Sequence, residues 1–170
     1  MKKILITILF TLSANMAIAN SFVDEVTELV GANPEVNINL STGLLKTILA
    51  FSDDEEAKVA RVAMSGLNKI QVSVYDLNKN SKSKKLSQLI KSKIKQLTAQ
   101  GYEQIVTVNG RSETVNIIAK VEGEYLSDAM IVVMEDDELV IISLDGDVDL
   151  KHLTEITGNF DLDIDDLVDI

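Results

Sequence analysis

Four strand-like segments follow one another with short connections in the second half of the chain, and this run limits its possible folds most strongly. The segments span residues 102–108, 114–120, 129–134 and 139–144. Asn109-Gly110 occupies the first connection and the acidic run 135–138 the third, and both are turn-forming sequences. Strands joined by such short connections pair with their neighbours in antiparallel order. We therefore predict an antiparallel meander.

Helical periodicity precedes this run. Residues 84–100 carry their apolar side chains on one stripe, and Gly101 then ends the predicted helix. The stripe consists of Leu86, Leu89, Ile90, Ile94 and Leu97. A first helix is predicted from Ser21, as its N-cap, to Gly31. Alternating apolar residues also predict strands at 36–40 and 70–74.

Shorter helices are predicted at residues 44–51, 53–66 and 150–157. Helices lead and flank the strands instead of alternating with each of them. This order predicts an α+β fold, a mainly antiparallel sheet with helices packed on one face in a two-layer sandwich. We expect one domain at residues 20–158 and an acidic-apolar tail at 159–170. The preferred hypothesis for the tail is docking on an edge of the domain, with a free partner-binding tail and disorder as the alternatives.

The amino-terminal residues 1–19 are typical of an export signal. Two lysines precede an apolar stretch at residues 4–12, and Ala17-Ile18-Ala19 has the small-x-small pattern that a signal peptidase cuts after. The apolar stretch is shorter than the roughly 20 residues that span a bilayer. We expect cleavage near Ala19 and a mature chain that is periplasmic or secreted, without a transmembrane anchor.

Composition narrows the function classes. The chain has 16 basic and 27 acidic residues, a formal net charge of -11, and no cysteine. The missing cysteine excludes disulfides, thiolate metal sites and cysteine nucleophiles. The acidic charge disfavours nucleic acid as a partner. The lysines are concentrated in one block without acidic residues: Lys79, Lys82, Lys84, Lys85, Lys91, Lys93 and Lys95.

Several local strings resemble those of a known family of exported bacterial proteins. They are Gly66-Leu67, Ile-Gln-Val-Ser-Val-Tyr at 70–75, Gly-Tyr-Glu at 101–103, Glu-Leu-Val-Ile-Ile at 138–142 and Gly-Asp-Val-Asp-Leu at 146–150. Over about Ser21 to Thr157 the chain resembles the family catalogued as domain of unknown function forty-two fifty-two. Many members look like lipoproteins, whereas this chain lacks the cysteine that a lipid anchor requires. The resemblance implies no activity and no catalytic residues.

Lys84, Lys91 and Lys95 are the candidate partner-binding residues. They lie opposite the apolar stripe of their predicted helix, a pattern found both in helices that bind anionic groups and in plain solvated faces. The solvated face is the ordinary interpretation. An anionic envelope component, a protein partner and the chain's own acidic side remain open as partners. No aromatic residue is interleaved with these lysines, which argues against binding of single-stranded nucleic acid.

Asp145, Asp147 and Asp149 are the candidate metal ligands, because their oxygens alternate around Gly146 as calcium ligands can. The 12-residue calcium-loop pattern is not met, since Leu150 stands at its sixth position and Ile156 at its twelfth. The preferred interpretation is a turn at 145–147, with Asp149 capping the last helix. No cofactor is predicted.

Catalytic residues are not identified. His152, the single histidine, lies beside Lys151 in the last predicted helix, where a surface position is the ordinary explanation. The chain has no Gly-x-Ser-x-Gly motif, and its many carboxylates have no context that marks a catalytic pair. We therefore expect an exported, non-enzymatic binding or interaction module. The alternatives are a hydrolase that acts on envelope material through carboxylates and a periplasmic small-molecule carrier with its site between sheet and helices.

Overall fold

The computed structural model describes residues 14–41, 43–44, 47, 65–77, 83–111 and 113–149. The long helices within these ranges are α1, Ala14–Val30, and α2, Ser83–Ala99, and residues 43–44 and 47 are also helical. The strands are β1, Val36–Ser41; β2, Leu67–Asp76; β3, Glu103–Asn109; β4, Glu113–Glu122; β5, Tyr125–Glu135; and β6, Glu138–Asp149. Together they make an α+β fold.

The strands form one 6-stranded antiparallel sheet in the order β1-β2-β6-β5-β4-β3. Strands β3 to β6 pair in chain order, which confirms the predicted meander. Strand β2 adds to the other side of β6, and β1 is one edge of the sheet. The chain leaves β2, passes through α2 and enters β3 at the opposite edge.

Helices α1 and α2 share one hydrophobic core with one face of the sheet. Its fully buried members include Phe22 and Val26 from α1, Leu86 and Leu97 from α2, and Tyr75, Leu139, Ile141, Val132 and Ile118 from the strands. The Tyr75 hydroxyl donates to the Val23 carbonyl oxygen at 3.0 Å and lies 2.8 Å from Thr27 Oγ1. Tyr75 therefore ties the sheet to α1 by hydrogen bonds as well as by burial.

Helix α2 forms where the sequence predicts it, whereas α1 begins earlier than predicted. Gly101, with φ of 89°, follows the end of α2, and Gly31, with φ of 78°, follows the end of α1. Both conformations suit glycine because it has no Cβ. Ser21 lies inside α1, so its prediction as an N-cap is wrong. Residues 14–19 include three alanines and a methionine, which are strong helix formers and allow the helical backbone to extend.

Strand β6 runs further than predicted, through residues 145–147 to Asp149. The predicted turn at 145–147 is wrong because Gly146, with φ of 104°, accommodates an irregularity without ending the strand. A Cβ at Gly146 would collide with the backbone of Gly66, so the close approach of β6 to the start of β2 requires glycine. The register of β2 shifts at the same place, between Leu67 and Lys69.

Several predictions fall outside the described residues. These are the signal sequence up to residue 13, the helix at 150–157, most of the helices at 44–51 and 53–66, His152 and the tail at 159–170. Within the described part of the chain, no helix has the length and apolar character needed to cross a membrane.

Candidate functional site

A groove of about 850 Å³ lies between α2 and the part of the sheet formed by β3 and β4. Helix α2 forms one wall, through Ser87, Ile90, Lys91, Ile94, Lys95, Thr98 and Ala99. Strands β3, β4 and β5 form the floor, through Gln104, Thr107, Asn109, Thr114, Asn116 and Met134. Volumes of about 300–1,000 Å³ are typical of pockets for small molecules.

The floor of the groove is polar because the strand residues that face the helices change in character across the sheet. One aligned row runs Ser73, Ile141, Val132, Asn116 and Thr107. The first four residues of this row are buried, and Thr107 at its end is exposed. Where the helices cover the face, its residues are mainly apolar, and where the groove opens they carry amides and hydroxyls. We call these parts the core half and the groove half.

Hydrogen bonds hold part of the groove floor in place. Gln104 Nε2 donates to Asn116 Oδ1 at 3.3 Å and to Thr107 Oγ1 at 2.5 Å. Asn116 is only 6% exposed, so its amide is held by its neighbours inside a mostly desolvated site. Fixed amide and hydroxyl groups of this kind orient a polar ligand by donating and accepting hydrogen bonds.

The structure brings two of the three predicted partner-binding lysines to the groove. Lys91 and Lys95 line it, whereas Lys84 does not belong to its lining. All three side chains are exposed and share one side of α2, because spacings of seven and eleven residues return to nearly the same angle on a helix. Lys84 therefore differs from the other two in its position along the helix. Among the described residues of this lining, Lys91 and Lys95 are the charged ones.

Another member of the lysine block has a different environment. Lys93 is 3% exposed and lies between the two helices. Its Nζ is 3.2 Å from Glu25 Oε1 and 3.3 Å from Ser21 Oγ, and it lies 5.5 Å from the centre of the Phe22 ring. The buried ammonium group is thus paired and hydrogen-bonded, as a buried charge must be. Lys93 joins α2 to α1 and contributes to the core half.

A second polar cluster surrounds a sheet irregularity. Lys120 Nζ donates to Asp128 Oδ2 at 2.9 Å and lies 5.1 Å from the centre of the Tyr102 ring. Asp128 has φ of 51°, at a register shift in β5. Burial lowers the pKa of Lys120, but the hydrogen bond to Asp128 and the nearby Tyr102 outweigh burial, so the pKa is raised. Burial raises the pKa of Tyr102.

The structure does not assemble the three candidate metal ligands into a site. Asp145, Asp147 and Asp149 all lie in β6, and Asp147 Oδ1 accepts a hydrogen bond from Ser127 Oγ at 2.5 Å. Among the residues that the structure describes, no group of three or more His, Cys, Asp or Glu side chains is arranged to hold a metal ion.

Carboxylates do collect in a smaller hollow of about 370 Å³ at one end of the sheet. We call this the acidic end, and its lining consists of Glu35, Asp76, Glu135, Asp137 and Glu138. A carboxylate-dependent hydrolase needs an acid and a second carboxylate with separate roles around one bond. The lining supplies like charges without any neutral or basic group that would distinguish two members, so it supports no assignment of such roles.

Sequence reasoning missed the groove floor. Thr107, Asn109, Thr114 and Asn116 alternate with valine and isoleucine in their strands, which predicts polar side chains facing solvent. Polar and apolar side chains do alternate along β3 and β4, but the polar ones face the groove under α2. Lys93 was also missed as a core residue, although a signal existed. It lies three residues after Ile90 and four before Leu97, on the apolar stripe of α2.

The antiparallel sheet and its helices place this protein in the class of α+β domains. The groove between α2 and the edge of the sheet is its candidate ligand site. The chain belongs to the family described as Domain of unknown function (DUF4252), whose model matches residues 31–162. This match confirms the family resemblance predicted from the sequence. No curated protein and no solved structure matches the chain.

Proposed function

We propose that the protein is an exported, non-enzymatic binding protein whose ligand occupies the groove between α2 and strands β3 and β4. The observation that carries the proposal is the lining of this groove. It combines a pocket-sized volume, hydrogen-bonding floor residues and two lysines, and no Asp or Glu occurs among these described lining residues. A protein with an acidic net charge thus presents a locally basic site. In this proposal the domain is a two-layer sandwich with the groove between its layers.

The lining indicates the chemistry of the ligand. Lys91 and Lys95 lie where they attract a carboxylate, sulfate or phosphate group, and Asn116 and Thr107 can bond to hydroxyl or amide groups. Ile90, Ile94 and Met134 add apolar contact area. We therefore propose a small anionic molecule with further polar groups, such as an acidic fragment of envelope material. This role joins the binding-module hypothesis to the carrier hypothesis.

The proposed location rests on the amino-terminal sequence. Residues 1–19 have the charge, apolar stretch and small residues of an export signal. Amino-terminal sequencing of protein from the periplasmic fraction is expected to begin at Asn20. Recovery of the chain from the cytosol with Met1 still attached would contradict the proposed location in the cell envelope.

Native mass spectrometry of protein purified from its own cells tests the ligand. We expect a retained anionic molecule whose occupancy falls at least tenfold in the double variant Lys91→Glu/Lys95→Glu, because two attractive charges become repulsive. The binding should also weaken as salt is raised, since exposed charges are screened.

Lys84→Glu is the matched control. It makes the same single charge reversal as Lys91→Glu or Lys95→Glu alone, on the same side of the same helix but outside the groove lining. Retention of ligand by Lys84→Glu and its reduction in each of the two single groove variants would place the ligand in the groove. Equal loss from all three single variants would show that the general charge of the lysine block, and not the groove, holds the ligand.

A further inference from the structure

The face of the sheet turned away from the core is made of aliphatic side chains from one edge to the other. Strand pairing aligns fifteen such residues, which we call the aliphatic face. They are Val36, Ile38, Leu40, Ile70, Val72, Val74, Val140, Ile142, Leu144, Ile131, Val133, Val115, Ile117, Val106 and Val108. Val36 and Ile38 are exposed, and the other thirteen are partly buried. Leu144 also packs against a small cluster of buried residues, Ala119, Leu126 and Ala129.

The alternation of strand side chains separates this face from the core. Ile141 and Val132 are buried beneath the helices, while their neighbours Ile142 and Ile131 point to the other side. The middle row of the aliphatic face runs Ile38, Val72, Ile142, Ile131, Ile117 and Val106. No charged or polar residue interrupts this row or the Val36-to-Val108 row beside it. Antiparallel sheets that expose one face to water normally carry polar residues on it.

The size of the face matters for what can cover it. Six strands spaced about 4.8 Å apart and five residues of about 3.4 Å each give a footprint of roughly 500 Å². The largest apolar patch on a typical monomer is about 300–600 Å², and a specific dimer buries about 800 Å² of accessible surface on each partner. Side-chain relief makes accessible area larger than footprint, so this face approaches what a dimer requires.

We propose that the aliphatic face is the interface between two copies of this chain, packed sheet against sheet. A second copy supplies a surface of the same width and the same side chains, and two sheets pack face to face about 10 Å apart in β-sandwiches. The face carries no charge in its aligned rows, so contact there desolvates no charged side chain. The groove lies on the other side of the sheet and stays accessible in such a dimer.

Charge also selects the orientation of the two copies. The acidic end gathers five carboxylates at one end of the strands. A two-fold axis along the middle row places the two acidic ends at opposite ends of the dimer, whereas an axis parallel to the strands would bring them together. Like charges repel, so the first arrangement is favoured. In it, each residue of the middle row faces its own copy across the interface, as expected for an isologous contact.

Sedimentation velocity on the purified protein, combined with cross-linking, tests this interface. The natural chain has no cysteine, so an introduced thiol is a unique reporter. The variant Ile142→Cys places one thiol at the centre of the middle row, and a bis-maleimide of about 10 Å span matches the distance between packed sheets. The matched control Ser92→Cys places an exposed thiol on α2, away from the face. We expect a dimer that cross-links through Ile142→Cys and not through Ser92→Cys.

A second variant keeps the test independent of the thiol chemistry. Ile142→Lys should weaken dimerisation at least tenfold, because it buries a like charge on both partners at the centre, while circular dichroism remains unchanged. A monomer with a freely reactive thiol at position 142 would overturn the proposal and show an open face. A monomer with a protected thiol would overturn it in favour of coverage by the rest of this chain. Protection of the thiol only with lipid vesicles would overturn it in favour of a lipid surface.

Discussion

The core half and the groove half belong to the same face of one sheet, yet they differ in what lies over them. In the core half, Ile141 and Val132 are covered by helices and exposed to about 1%. In the groove half, Thr107 lies at the end of the same row and is exposed. Among the described residues, the sheet extends beyond α1 and α2, and its helix-facing side chains become polar towards the β3 edge. The candidate site therefore lies where these two helices leave part of that face open.

Lysines two residues apart on α2 display the same contrast. Lys93 is buried between the helices, while Lys91 and Lys95 are exposed at the groove. The helical turn of about 100° per residue directs these neighbours to different sides. A lysine side chain therefore packs between the helices in the core half, whereas lysine side chains in the groove half are available to a ligand.

The largest effect is expected from Lys93→Glu. This change places a carboxylate beside Glu25 in a site that is 3% exposed and removes the hydrogen bonds of Lys93, so we expect a loss of roughly 3–5 kcal/mol in the free energy of unfolding. Lys91→Glu, at an exposed position of the same helix, should change it by no more than about 0.5 kcal/mol. Urea denaturation measures both. Equal effects would contradict the distinction between the halves.

A smaller effect is expected from Tyr75→Phe in the core half. The change removes the hydroxyl that donates to Val23 and contacts Thr27 while keeping the buried ring. We expect a loss of about 1–2 kcal/mol in the free energy of unfolding, because the buried Val23 carbonyl loses a partner. Tyr125→Phe is the control, since Tyr125 is 49% exposed. An unchanged urea midpoint for Tyr75→Phe would refute the role of this hydrogen bond in joining α1 to the sheet.

Alkaline pH provides a third test. Burial raises the pKa of Tyr75 and of Tyr102 above the ordinary value, and the pKa of Lys120 is also raised. The folded protein therefore keeps these protons at a pH where the unfolded chain has released them. Their stabilising contribution is complete below about pH 10 and is lost as pH rises through the folded pKa values.

Urea titrations between pH 8 and 11 should accordingly show a falling free energy of unfolding above about pH 10. Tyr75→Phe and Tyr102→Phe should each make this fall shallower, because each removes one titrating group with a raised pKa. Tyr125→Phe should leave the slope unchanged. A slope that is identical in all variants would show that these two buried phenols do not cause the alkaline loss.

The smallest effect is expected at Ser73, in the core half. Ser73 is fully buried, and its Oγ has no hydrogen-bond partner among the described residues. Ser73→Ala should raise the free energy of unfolding by about 1 kcal/mol, because an unsatisfied buried hydroxyl is costly. Thermal denaturation measures the change. A lower melting temperature in the variant would mean that the hydroxyl makes a stabilising bond with another part of the chain.

Much of the fold could be predicted because its signals are local. The meander follows from four short alternating segments and their turns, and the end of α2 follows from Gly101. The extension of β6 could not be predicted in this way. Asp145-Gly146-Asp147 has the composition of a turn, and the strand continues there because β2 and Gly66 pack closely against it.

The candidate site was predicted only in part. Lys91 and Lys95 were selected from their side of a predicted helix, and the structure adds that they border a groove. The prediction grouped Lys84 with them because position along α2 relative to the sheet is not contained in helical periodicity. The floor residues Thr107 and Asn116 give no signal of their own, since a polar residue in an alternating strand has the same pattern in a groove as in open solvent.

The sequence by itself determined the antiparallel order of β3 to β6, the apolar stripe of α2, the absence of cysteine chemistry and the family to which the chain belongs. Only the tertiary structure decided which lysine is buried, where the groove opens, and that fifteen aliphatic residues align on the far face of the sheet. The physical reason is the separation along the chain of the residues that interact. Periodicity and turn chemistry act between residues close in the chain, whereas coverage of a sheet depends on where helices far away in sequence come to pack.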